Sequence, residues 1–189
     1  MPLGHASNVP PDIRERAARI RLACFDVDGT LTDGRLWFDT EGRELKAFHV
    51  HDGQGLVLLR KNSITVAFVT ARVSTIAQQR GAELGLTEVH TAVPDKLACV
   101  GDIASRLGVG MDEVSFMGDD LPDLAVMAQV GLGVAPANAH AWTRERAHWT
   151  TQAHAGRGAA RELCDLLLEA QGLLDPVLAA VTPSLGRQS

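Results

Sequence analysis

Residues 23–39, ACFDVDGTLTDGRLWFD, begin as a buried strand and then place Asp26 and Asp28 two positions apart. In an extended chain that spacing aims both side chains at one face, where like charges disfavour each other's ionisation. Such a pair is either a solvated strand end or part of a site for something positive. Three more chemistry-bearing stretches follow: VTAR with Thr70 and Arg72, PDK with Lys96, and FMGDDLPD with Asp119, Asp120 and Asp123. Alone, DxDG or GDD is an ordinary turn sequence. In this order, and mostly after apolar runs, the stretches can assemble carboxylates, a lysine and a hydroxyl at one place. A hard divalent ion relieves the repulsion, and Mg2+ takes few carboxylates together with water and phosphate oxygens. Lys96 balances carboxylate and phosphate charge, while Thr70 and the amides after Asp28 offer neutral donors to phosphate. The set suits phosphoryl transfer, in which positioning and charge neutralisation dominate.

For these residues to meet, the apolar runs at 22–27, 65–69, 88–91, 114–117 and 130–134 must be neighbouring strands. Helical stretches separate most of them, among them VSTIAQQRGAELG and PDKLACVGDIASRLG, each closed by glycine. Strands alternating with such helices predict an α/β fold with a doubly wound parallel sheet, and ligands of such sheets gather outside the C-terminal strand edge. One stretch breaks the alternation: GRLWFDTEGRELKAFHV (34–50) carries two alternating runs around DTEG, a predicted β-hairpin. Only about 40 residues separate the first two main strands, too few for an independent cap domain. Leu163, Leu166, Leu167 and Ala170 recur at helical spacing in a terminal amphipathic helix. Residues 1–175 are thus expected to form a single domain, with 1–10 a loose lead-in and 176–189 a tail containing Pro176 and Pro183.

Composition bounds the partners. The chain has 189 residues, 46% of them hydrophobic, and a net charge of −5 with pI near 5.8. Phosphate backbones favour basic surfaces, so nucleic acid is not an expected partner. Cys24, Cys99 and Cys164 are widely spaced, as free thiols in a reducing compartment would be. No apolar run reaches the roughly 20 residues that cross a bilayer, and the first residues lack a signal-peptide pattern. A cytoplasmic setting, without a membrane partner, is the expectation. His5, His49, His90, His140, His148 and His154 show no zinc-binding spacing.

DVDGT, VTAR, DK and GDDLPD resemble the four motifs of haloacid-dehalogenase-like phosphatases, over residues 20–175. More narrowly, DVDGTLTDG, ELKAFHVHDGQG, GDDLPDLAVM and GRGAARELCDLLLEAQG are similar to a cap-less subgroup. That subgroup hydrolyses 3-deoxy-D-manno-octulosonate 8-phosphate in lipopolysaccharide precursor synthesis. The resemblance implies a Rossmann-like sheet and a mechanism through an aspartyl phosphate. By it, Asp26 is the nucleophile and Asp28 the general acid and then base. Mg2+ would be held by Asp26, the backbone carbonyl of Asp28 and Asp119, with Asp120 and Asp123 as outer partners of the metal or of Lys96. Thr70 and Lys96 would hold the phosphoryl group, and Arg72, His51 and Arg157 are candidates for the carboxylate of an acidic sugar. The subgroup is tetrameric, with the hairpins associated, so Trp37, Phe38, Leu45 and Phe48 would partly line an interface and the tail would reach a neighbouring site. The chain departs from the subgroup at His51, where a basic residue is usual, and at Gln54. These departures leave open a nine-carbon keto acid phosphate or another sugar phosphate as substrate. A non-catalytic tetramerisation module is the alternative outside enzymes, and against it every catalytic position is filled.

Overall fold

The computed structural model describes residues 9–181. The lead-in before Val9 and the tail beyond Val181 lie outside the described residues. Six parallel strands form the sheet: β1 (Leu22–Phe25), β4 (Thr65–Val69), β5 (Glu88–His90), β6 (Val114–Met117), β7 (Leu132–Ala135) and β8 (Trp149–Thr150). Their order is β5-β4-β1-β6-β7-β8, so β1 lies between β4 and β6, with Cys24 paired to Ala67 on one side and Phe116 on the other. The chain winds outward from β1 through β4 and β5, then returns to β1's other side as β6. That reversal leaves a crevice at the C-terminal ends of β1 and β6.

Strand side chains alternate between two cores, as the two-residue period of a strand requires. Ala23, Phe25, Val66 and Phe68 face a core closed by α1 (Pro11–Ala17), α2 (Val50–Lys61), α3 (Thr75–Glu83) and α7 (Ala159–Ala170). Leu22, Cys24, Ala67 and Val69 face the other, closed by α4 (Lys96–Leu107) and α5 (Leu124–Met127). Burial on both faces explains why these strands read as continuous apolar runs. The amphipathic helix expected near the end is α7, whose Leu163, Leu166 and Leu167 are buried. The three cysteines are free thiols, Cys24 and Cys164 fully buried.

Several expected boundaries move. The first strand stops at Phe25 because the amides of Thr30, Leu31 and Thr32 all turn back onto the Val27 carbonyl. The run at 130–134 becomes strand only from Leu132, since the Val130 amide still closes the α5 turn on Val126. The hairpin is real but short, β2 (Trp37–Phe38) against antiparallel β3 (Glu44–Leu45). Asp39 accepts the Glu41 and Arg43 amides at 2.9 Å and tightens its turn. The structure adds β8 and the short α6 (Ala141–Arg144), neither expected. Part of the expected tail is also ordered: α8 spans Leu174–Val181, with Pro176 in its first turn, where a proline is tolerated.

Candidate active site

The strand order places Asp26 just past β1, Thr70 just past β4 and Asp119 two residues past β6, on one edge. Asp26 keeps the sheet direction, its amide donating to the Met117 carbonyl at 2.9 Å. Lys96 enters as the first residue of α4, after Asp95 caps that helix by accepting the Ala98 amide at 3.0 Å. A cation at a helix N-terminus opposes the helix dipole, so its position needs carboxylates. Its ammonium lies 2.9 Å from Asp26 and 2.5 Å from Asp123. Burial works against the charged lysine, yet Asp26 and Asp123 more than offset it, and its pKa is raised.

Asp123 spends both oxygens: Oδ1 on Lys96, Oδ2 on the amides of Asp119 (2.9 Å) and Asp120 (3.3 Å). Asp120 is exposed and caps the Leu121–Asp123 turn by accepting the Leu121 amide at 2.8 Å. Asp26, Asp119 and Asp123 each offer a carboxylate oxygen within 4.8 Å of the others. Burial, then Asp123, pushes the Asp26 carboxyl up to about 6. Burial, then the charges of Asp26, Asp123 and Asp120, pushes Asp119 up to about 7. Three buried or half-buried carboxylates facing one lysine are short of positive charge. The donor set therefore fits a hard divalent cation such as Mg2+, with Asp26 and Asp119 carrying the oxygens not already committed.

The loop after Asp28 is built for close approach. Gly29 has φ +85°, and a Cβ there would sit 2.1 Å from Asp119 Oδ2. The expected phosphate-facing amides are partly spent within the loop: Gly29 and Gly34 donate to the Thr32 hydroxyl, both at 3.3 Å, and Thr30 to the Val27 carbonyl. Thr70 is buried beside this edge, its hydroxyl accepting the Arg72 amide at 3.4 Å.

The three expected sugar-carboxylate residues separate. Arg72 reaches the site, with Nε 3.6 Å from Asp28 Oδ2. Arg157 is exposed and makes no ion pair among the described residues, but the neighbouring Gly156 amide donates to the Thr30 carbonyl at 3.2 Å. The loop carrying Arg157 thus lies against the loop after Asp28. His51 is exposed on the first turn of α2, edge-on to His49 at 5.0 Å, and among the described residues it makes no ion pair with the carboxylate cluster.

Three neighbours of the expected site residues escaped the sequence reading. Lys46 folds from the hairpin onto Asp28, and Glu44 meets Lys46 at 3.1 Å. Their i, i+2 spacing in ELKAF, which puts both on one strand face, was the available signal. Buried Asp52 accepts the Arg161 amide at 2.8 Å and the Gly158 amide at 3.3 Å, tying α2 to the start of α7.

Known proteins share this chain's sequence and fold. The sequence profile of haloacid dehalogenase-like hydrolases matches residues 85–163. The 3-deoxy-D-manno-octulosonate 8-phosphate phosphatase KdsC of Yersinia pestis is 43% identical over 167 residues, 88% of this chain and 89% of that protein. The chain belongs to the KdsC family. Among solved structures, a hypothetical protein of Xanthomonas campestris is similar at 52% identity and TM-score 0.94, over 97% of this chain and 100% of that one. A KdsC-family phosphatase of Moraxella catarrhalis, crystallised with magnesium, phosphate and KDO, matches at 36% identity and TM-score 0.88, over 90% of this chain and 98% of its own.

Proposed function

We propose that this chain is a Mg2+-dependent phosphomonoesterase acting on 3-deoxy-D-manno-octulosonate 8-phosphate, releasing the sugar acid and phosphate for lipopolysaccharide precursor synthesis. One observation carries the reading: Asp26, Lys96, Thr70 and Asp119 converge on one strand edge in a chain that shares its fold with the magnesium-, phosphate- and KDO-bound Moraxella enzyme.

An Asp26 oxygen attacks phosphorus, forming an aspartyl phosphate while the bond from phosphorus to the sugar oxygen breaks. Asp28 gives that oxygen its proton. Water then attacks phosphorus, its proton passes to Asp28, and the Asp26–phosphorus bond breaks to free phosphate. Lys96 and the Thr70 hydroxyl hold phosphoryl oxygens throughout. Asp26, Asp119 and the Asp28 carbonyl are the groups that would hold Mg2+, with Asp123 orienting Lys96 and Asp120 further out. When bound, the metal supplies positive charge to the carboxylates and to the phosphoryl oxygens. Arg72 receives the sugar carboxylate, for which a planar guanidinium is suited, with Arg157 on the adjoining loop assisting and His51, which does not reach this edge within its own chain, acting from a neighbouring subunit.

Residues 1–175 act as one catalytic unit in a cytoplasmic homotetramer. Leu36, Trp37, Phe38 and Leu45, each about half exposed on the hairpin, supply the apolar contact, and the hairpin shelters the site in place of a cap. The test is phosphate release from 3-deoxy-D-manno-octulosonate 8-phosphate, nine-carbon keto acid phosphates and common sugar phosphates, with and without Mg2+. The octulosonate ester should give the highest kcat/KM, and only with metal. Preference for a nine-carbon ester would reassign the substrate, and no release from any would leave a binding module.

A further inference from the structure

Lys46 follows β3 immediately, in a hairpin whose Leu45 is 56% exposed, yet its own side chain is only 2% exposed. A buried ammonium requires carboxylate partners. Its Nζ donates to Asp28 Oδ1 and, at 3.1 Å, to Glu44 Oε1. Arg72 donates to the same Glu44 oxygen at 2.7 Å and stands 3.6 Å from Asp28 Oδ2. Asp28, Lys46, Glu44 and Arg72 thus close a ring of two acids and two bases that joins the hairpin to the ends of β1 and β4. Two-residue strands alone hold a hairpin weakly, so the ring fixes where the hairpin sits over the edge.

The two oxygens of Asp28 differ. Oδ1 is taken by Lys46, whereas Oδ2 is buried without a hydrogen-bond partner among the described residues. The geometry points to Lys46 as a positioning residue for the hydrolysis: it pins Asp28 by Oδ1 so that Oδ2 is presented to the sugar oxygen, while Glu44 keeps Lys46 and Arg72 in register. This rests on Asp28 being the general acid. In the step concerned the proton leaves Asp28 Oδ2 for the ester oxygen as the bond to phosphorus breaks and the bond to Asp26 forms. The Lys46 ammonium is buried and already spent on Asp28 and Glu44, so it acts through Asp28 and not on substrate.

The experiment compares kcat/KM for 3-deoxy-D-manno-octulosonate 8-phosphate and p-nitrophenyl phosphate, both with Mg2+. The nitrophenolate leaves without being protonated, and kcat/KM covers only the steps up to the aspartyl phosphate. In this measure orientation of the acid therefore matters only for the sugar ester, while the base role of Asp28 is common to both and enters kcat. Lys46→Met should lose about tenfold or more on the sugar ester, a fraction of what general acid catalysis contributes, and under about threefold on the aryl ester. Lys46→Arg should recover most of the loss, and Glu44→Gln should show a smaller loss with the same substrate bias. Equal losses on both esters, the result of a merely structural lysine, or no loss on either would overturn the role. Asp28→Asn is run alongside: if it too loses equally on both esters, the acid assignment itself fails and the inference falls with it.

Discussion

Gly29 ties the two acidic strand ends together at the level of a single atom. Its φ of +85° and the 2.1 Å from a would-be Cβ to Asp119 Oδ2 leave no room for a side chain. Gly29→Ala should cost about 1–3 kcal/mol of stability from backbone strain and the displaced carboxylate. It should also weaken Mg2+ binding by about tenfold, since a carboxylate held out of place is a poorer ligand. Urea melts and calorimetric titration with Mg2+ check the two effects, and wild-type metal affinity would contradict the packing argument. The sequence reveals Asp26, Thr70, Lys96 and Asp119 because their chemistry stands out just past apolar runs or at a helix start. Residue types alone do not say which of Asp119 and Asp120 faces inward, a choice made for Asp119 only by the family resemblance, because it depends on the tight turn at Leu121–Asp123. Nor do they separate Asp123 as the lysine's partner, because that requires α4 and the β6 loop to be packed together.

At the scale of elements, the parallel strands and their helices are legible because both follow simple periods, and each long helix has a recognisable start or stop, such as Asp95 and Gly108 around α4. The two-residue β8 carries no period to read, and α8 is disguised in the sequence by Pro176. The hairpin is legible as a hairpin but not as a contributor to the site, because the inward turn of Lys46 is tertiary. Its outward face is a different matter: Leu36, Trp37, Phe38 and Leu45 are between 49% and 58% exposed. Four large apolar side chains clustered on a small element mark an interaction surface. Trp37→Glu combined with Phe38→Glu should convert the proposed tetramer to smaller species in light scattering coupled to gel filtration. An unchanged mass, or a wild-type protein that is already monomeric, would contradict the proposed assembly.

Over the whole molecule, the sheet order concentrates negative charge at one edge and the fold bears the cost. Asp26 and Asp119 have pKa values raised to about 6 and about 7 from an ordinary 3.8. The folded state therefore binds these protons more tightly than the unfolded chain. In the metal-free protein the associated stability is present below about pH 4 and is lost as pH rises through the two raised values. Mg2+ binds the ionised carboxylates and so competes with protons. The rise in Tm on adding Mg2+ should be small near about pH 5 and larger near about pH 7.5, with protons released on binding in between. A metal-induced shift independent of pH would mean that these carboxylates do not hold the ion.

The proposed hydrolysis requires Asp26 to be the residue that takes the phosphoryl group from an octulosonate phosphate. The direct measurement is Mg2+-dependent phosphate release from 3-deoxy-D-manno-octulosonate 8-phosphate by the wild-type chain and by Asp26→Asn, which keeps the shape and removes the attacking charge. The wild type should turn over this ester in preference to other sugar phosphates, and the variant should fall by about a thousandfold or more, as expected when a covalent nucleophile is lost. Turnover by Asp26→Asn near the wild-type rate would contradict the mechanism.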